Sequence, residues 1–288
     1  MNIKHIIPDD WLSKSMRIGS YADVSKYIET FIAAKHGNSR EQYNLGLMYA
    51  NGVGLPQNDN KAVIWYRKSA ELGYARAQLT LAYMYSSGKG TYQSDKEAAI
   101  WCHEAAKQNI ALAQLIFSVM YTNGLGVPQN YNEAVLWCQK AAEQDYARAQ
   151  YNLGVMYAKG KGVAQSHKMA VNWFRKAGEQ GYARAQSNLG YIYSKGIGAP
   201  RSDELAAEWF RKAAVQGYAK AQYCLSVMYY KGHGAPRCDK NAYAWVSLAL
   251  INGYINANKS KSFLENKMDP YTLSQAKELA EKYFLLTP

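Results

Sequence analysis

Apolar and polar positions in this chain follow helical spacing, and the whole pattern returns every 36 residues. Between Ala147 and Tyr157, apolar or small residues fall at 149, 153, 156 and 157, one buried stripe of a helix. Gly160-Lys161-Gly162 follows, and glycine there supplies the positive φ that ends a helix and turns the chain. A second helix is predicted to open near Ser166, to carry Ala170, Trp173, Phe174 and Ala177 on one face, and to close at Gly181. Ser94 with Glu97, and Asn130 with Glu133, have the spacing of an N-cap and its partner three positions on.

From Gly37 this two-helix unit runs for six copies without insertion or deletion. Trp65, Trp101, Trp137, Trp173, Trp209 and Trp245 form one column; Tyr49, Tyr85, Tyr121, Tyr157, Tyr193 and Tyr229 form another. Paired glycines recur from Gly52 and Gly54 to Gly232 and Gly234. A fixed period of this length predicts a solenoid, in which each unit buries its apolar face only against its neighbours. The expected organisation is an N-terminal half-repeat cap over 1–36 and six repeats over 37–252. These divide as 37–72, 73–108, 109–144, 145–180, 181–216 and 217–252, before a degenerate seventh repeat with a capping helix over 253–288. In that last helix Leu273, Ala276, Ala280 and Tyr283 are expected to face inward.

Composition changes the picture little. The 25 Tyr and seven Trp sit mostly in the repeat columns, so they are core filling first. Cys102 and Cys138 replace an aromatic found at the same column in other copies, and they read as small buried hydrophobes. With Cys224 and Cys238 they show no disulfide framework, which fits a reducing compartment. No apolar run approaches a membrane span. Met1 to Trp11 does not read as a signal peptide, so a cytoplasmic location is the expectation.

Ala149-Gln150-Tyr151-Asn152-Leu153-Gly154-Val155-Met156-Tyr157, followed by Gly-x-Gly-Val and Trp-Phe-Arg-Lys-Ala, resembles the Sel1-like repeat family, longer relatives of the tetratricopeptide repeat. The resemblance covers about residues 37–252. It implies an all-α, α/α solenoid: antiparallel helix pairs in a right-handed superhelix whose first helices line the concave side. It also implies an adaptor for another protein, with a bacterial source as the expectation. Some immunity proteins share these repeats, so an inhibitor that neutralises a toxin is the alternative. A cysteine-rich branch pairs two Cys within each repeat; that pattern is absent here.

Little else suggests chemistry. The Gly-x-Gly turns lack the Gly-Lys-Ser/Thr ending of a phosphate loop and follow no strand. Cys224, His233 and Cys238 lack the fourth ligand and tight spacing of a zinc site, so no metal and no cofactor is expected. No nucleophile and base cluster, so no enzyme is expected. The net charge of +12 raises nucleic-acid binding, but many cations sit in the last turns of second helices, where they complement the helix dipole. Arg40, Arg76, Arg148, Arg184 and Lys220 differ: they open first helices, the end where a cation is disfavoured. Pairing with Glu71, Glu143 and Glu179 is one explanation. A binding stripe is the other.

Offsets of four and three carry that stripe along each first helix. It takes in Arg40 and Asn44; Arg76 and Tyr83; Arg148 and Asn152; Arg184, Asn188, Tyr191 and Lys195; and Lys220 and Lys231. The third copy substitutes Leu112, Ile116 and Val119, read as an apolar patch between cationic walls. The partner expected from this pattern is a protein segment, acidic with an apolar anchor, held in the concave groove by a monomer or weak oligomer.

Overall fold

The computed structural model describes residues 21–286. The first part of the 1–36 cap, including Met1 to Trp11, lies outside the described residues. Those described form fifteen α-helices, one short 3-10 turn and no strand. They fall into two compact units, 21–146 and 147–286.

The first unit holds α1 (Tyr21–Lys35), α2 (Ser39–Asn51), α3 (Asp59–Glu71), α4 (Ala75–Ser87), α5 (Asp95–Lys107), α6 (Ala111–Asn123) and α7 (Tyr131–Glu143). In the second are α8 (Ala147–Lys159), α9 (His167–Glu179), α10 (Ala183–Lys195), α11 (Asp203–Ala214), α12 (Ala219–Lys231) and α13 (Asp239–Ile251). It ends with α14 (Asn258–Lys267) and α15 (Pro270–Leu286). Within each unit consecutive helices up to α13 pack on one another, giving a solenoid of helix pairs, and α14 and α15 both pack on α13. Even-numbered helices α2 to α12 are the first helices of the pairs; the odd-numbered helices α1 to α13 are second-type helices.

Side-chain caps start the second helices. Asn58, Ser94, Asn130, Ser166 and Ser202 each accept a hydrogen bond from a backbone N–H in the first turn. First helices end on glycine in the left-handed region, as at Gly52 and Gly196. The second glycine of each turn has a different cause. A Cβ on Gly126 would strike the Asp95 carbonyl of the preceding repeat, and one on Gly234 would strike that of Asp203. These turns lie against the neighbouring helix start, and only glycine fits.

A buried glutamine column links repeats. Gln78 Nε2 donates to the Ala70 carbonyl at 3.1 Å, a second bond to an oxygen at the end of α3 that also accepts from the Gly73 N–H at 2.9 Å. Its own Oε1 accepts from Gln108 at 2.8 Å. Gln114 and Gln186 repeat the donation to Ala106 and Gly178. Gln144, Gln180, Gln216 and Asn252 repeat the return bond to Gln114, Gln150, Gln186 and Gln222. Copy one breaks the chain: Leu72 occupies the donor position, and the buried Gln42 Oε1 has no partner.

Core size is balanced within each pair of helices. A Cβ on Gly46 would come 2.5 Å from the Tyr66 ring, on Gly154 2.8 Å from Phe174, and on Gly190 2.7 Å from Phe210. Where the second helix carries Cys102, Cys138 or Val246 in that column, the first helix carries Ala82, Ser118 or Ser226. Trp65, Trp209 and Trp245 are buried beside these contacts, and the other three column tryptophans are half-buried. At the end of the chain Ala276 is buried, Leu273 and Ala280 pack on the core, and Tyr283 stacks on Trp245 at 4.8 Å.

Two predictions follow from these columns. Leu72→Gln, at a 57% exposed site, should supply the missing donor to Gln42 and raise stability by about 1 kcal/mol, read from the urea midpoint. Gly190→Ser should cost about 1–3 kcal/mol by overpacking. Adding Phe210→Val should cost less than the sum of the two single changes, because the pair then matches Ser226 with Val246; a double-mutant cycle in urea measures the coupling.

Candidate protein-binding face

The basic residues divide into those the scaffold uses and those it leaves free. Lys68, Lys140, Lys176 and Lys212 each lie over the tryptophan three positions earlier, 4.3–4.7 Å from its ring centroid. Arg67, Arg175 and Arg211 donate to the hydroxyls of Tyr85, Tyr193 and Tyr229 on the next first helix. Much of the chain's positive charge is thus engaged along the second helices.

First helices differ. Arg40, Arg76, Arg184 and Lys220 are exposed, and among the described residues none of them is ion-paired with a carboxylate. Pairing with Glu71 or Glu179 therefore does not account for Arg40, Arg76 or Arg184. Arg148 is half-buried at the start of α8.

The apolar patch expected in copy three requires correction. Ile116 is 0% exposed and Leu112 9%, and both belong to the core of the first unit; Val119 packs against that core, half-buried. Each first helix lies between neighbours on two sides, so its buried arc is wider than a single stripe. Position 116 falls inside that arc, as Thr80 does one repeat earlier, also at 0%. An anchor cannot dock on side chains that are already covered. Tyr43 is likewise buried, against Tyr66 and Tyr74, whereas Asn44 and Tyr83 are half-buried.

In the second unit the stripe does assemble. Three cavities follow one another along the first-helix side. One of about 240 Å³ is lined by Val155, Lys159, Asn188 and Tyr191, among others. The next, about 530 Å³, is lined by Tyr191, Lys195, Tyr223, Cys224, Lys231 and His233, with Arg201 and Asp203 at its edge. A third of about 370 Å³ reaches Lys231, Tyr230, Lys259 and Phe263. Tyr191 is shared by the first two, and Tyr223 and Lys231 by the last two. Asn188, Tyr191, Lys195 and Lys231 are therefore brought together as expected. Asn152, Arg184 and Lys220 do not line these cavities. His233, Lys259 and Phe263 were missed as parts of a groove, because they come from a turn and a capping helix outside the first-helix column.

The groove is cationic. Lys159, Lys195 and Lys231 are exposed and without a carboxylate partner among the described residues. Asp203, a carboxylate at the central cavity, is held by Arg201 at 2.9 Å. The Arg201 hydrogen bond keeps the Asp203 carboxyl below its usual range, so it remains ionised and neutralised. Burial raises the Cys224 thiol above its ordinary value, and Lys220 offsets part of that. Cys238 is the N-cap residue before α13, and no group of three or more His, Cys, Asp or Glu among the described residues is placed to hold a metal. Also among the described residues, no helix is long and apolar enough to cross a membrane.

The sequence model of the Sel1 repeat matches residues 42–74, 75–110, 111–146, 147–182, 183–218 and 219–254. The chain belongs to the Sel1 repeat family. Among solved structures it is similar to a Sel1 repeat protein of Oxalobacter formigenes, 35% identical with a TM-score of 0.74, over 82% of this chain and 68% of that one. A protective antigen of uropathogenic Escherichia coli with the same fold is 32% identical with a TM-score of 0.58, over 90% of this chain and 64% of that one. A sel1-like repeat-containing protein of Acanthamoeba polyphaga mimivirus is 50% identical over 40 residues, 14% of this chain and 7% of the viral protein. Sel1 repeat proteins mediate protein–protein interaction and are generally non-catalytic scaffolds.

The four thiols of this Sel1 repeat chain should differ in reactivity. Burial raises Cys138 to about 12 and Cys102 higher still, so both stay protonated and covered at neutral pH. With N-ethylmaleimide at pH 7.5, the half-buried Cys238 should label first in the folded protein, and Cys224, half-buried with its thiol raised by burial, more slowly. Cys102 and Cys138 should label only in denaturant, which peptide mass spectrometry will read.

Proposed function

We propose that this chain is a non-enzymatic adaptor that holds an acidic segment of a partner protein against the first-helix side of its second unit. The observation that carries this reading is the run of three adjoining cavities, bordered by exposed lysines without carboxylate partners and floored by tyrosine and aliphatic side chains. A lysine in the last turn complements the helix dipole, which accounts for the charge of Lys159, Lys195 and Lys231 but not for the grooves beside them. Exposed Tyr191 and half-buried Tyr223 offer rigid, amphipathic contact area at low entropic cost. Carboxylates of a partner would pair with the lysines, while its apolar side chains fill the cavities. This places the anchor in the second unit, where open volume exists, rather than on Leu112 and Ile116.

Affinity purification of the full chain followed by mass spectrometry identifies the partner. Lys195→Glu with Lys231→Glu should then lower its recovery at least tenfold, as expected for two charge-assisted contacts of about 1.5 kcal/mol or more each. Both side chains are exposed, so the urea midpoint should not move. Unchanged recovery with an unchanged midpoint would sink the groove.

A further inference from the structure

The central cavity of the second unit gathers departures from the repeat that the scaffold does not require. Gln93, Gln129 and Gln165 share one column in the turns of copies two to four. Each donates Nε2 to a backbone carbonyl seven residues back, at Ser86, Thr122 and Ala158. Copy five has Arg201 in that column, and its guanidinium instead binds the Asp203 carboxylate, through Nε at 3.3 Å and Nη2 at 2.9 Å. Lys195 and Lys231 stand where copies one to three have Asn51, Ser87 and Asn123. The Gly232-His233-Gly234 turn is pressed against the Asp203 backbone, so closely that a Cβ on Gly234 would strike its carbonyl. Lys195, Arg201, Asp203, Lys231 and His233 all line the same cavity of about 530 Å³.

We propose that this cavity takes a phosphotyrosine side chain of the partner segment. The proposal rests on the groove reading above and names the group held at its centre. Burial divides the lining into two layers. Phe210 and Met228 are buried, and Tyr223 and Val227 half-buried, which makes an apolar floor. Lys195, Arg201, Lys231 and His233 are exposed and stand at the mouth. A cavity of this kind selects a ligand with an apolar body and an anionic head. Its volume lies within the roughly 300–1,000 Å³ of pockets that enclose a small organic group.

Charge selects phosphate over carboxylate. Lys195, Arg201 and Lys231 set against Asp203 leave two positive charges on the lining. Neither lysine has a carboxylate partner among the described residues. Glu204 accepts from the Ser202 hydroxyl at 3.0 Å and does not line the cavity. A phosphomonoester carries about −1.5 to −2 charge at neutral pH, with three acceptor oxygens, so one group matches the surplus. Glutamate brings a single charge and no ring to cover the floor. Phosphoserine brings the charge without the ring. A guanidinium has five N–H donors, so Arg201 keeps some free beyond the two that hold Asp203, and the His233 ring adds another.

The probe is a short fluorescein-labelled Glu-rich peptide with one central phosphotyrosine, titrated against the full chain by anisotropy. It should bind saturably and at least tenfold more tightly than the same peptide with Tyr, Glu or phosphoserine at that position, and phenyl phosphate should displace it. Arg201→Gln, the residue of copies two to four, should weaken the phosphotyrosine peptide at least tenfold and the Tyr peptide far less. The urea midpoint should not fall, because glutamine can restore the turn bond and the exposed Arg201–Asp203 pair contributes little. No binding, equal affinity for the phosphotyrosine, Tyr and Glu peptides, or a preference that Arg201→Gln leaves intact overturns the proposal. The groove itself is judged separately, by partner recovery with Lys195→Glu and Lys231→Glu. Recovery that those changes abolish, but that prior treatment of the partner with a tyrosine phosphatase leaves undiminished, refutes the phosphotyrosine and keeps the groove.

Discussion

No repeat in this chain can bury its own apolar face, and every other feature follows from that constraint. A pair of helices leaves one side open, and only the next pair can close it. The face offered forward must match the face received, copy after copy. This is why Trp, Tyr and glycine columns run unchanged through six copies. It is also why a buried glutamine serves as the joint: one amide reaches a helix end behind it and a side chain ahead, leaving neither polar group orphaned. Leu72 shows the rule by its exception, since a single replaced donor leaves Gln42 Oε1 without a partner.

The constraint fixes sums rather than residues. Gly154 permits Phe174, while Ser118 accompanies Cys138; the combined volume is held while each member varies. Positive charge is treated alike. Lysine over tryptophan and arginine on tyrosine are internal uses of a cation, repeated where the column repeats. A net charge of +12 therefore says less about ligands than its size suggests. What bears on binding is the smaller set of cations that no scaffold residue engages.

Helix limits, caps and turns were legible because each depends on a few neighbouring residues. Ser94 and Asn130 cap as their spacing predicts, and Gly160 and Gly162 mark the turn before Ser166. The candidate site was legible only in part. A helical wheel starting from Arg148 or Arg184 assumes one buried face, and a first helix in a stack has neighbours on both sides. Ile116 therefore lay in the core although its column carries Asn152 and Asn188, half-buried, elsewhere. Conversely, His233 enters the groove from the variable middle position of a Gly-x-Gly turn, and Phe263 from a terminal helix beyond the repeats, both outside the first-helix column. The glutamine joint was not read from the sequence, because its partners sit eight residues back and 30 residues ahead.

Among the positions that packing leaves free to vary, two sets differ between the units. On the first-helix side of the second unit, open cavities lie between stacked helices, so side chains can insert and the geometry suits separate anchors with carboxylates between them. On the second-helix side of the first unit, Ile64, Ile100 and Leu136 stand about half exposed on the helix surface. Asn172 and Glu208 end that aliphatic column in the second unit, while Lys195 and Lys231 have Asn51, Ser87 and Asn123 as their counterparts in the first. Each unit thus carries the feature the other lacks.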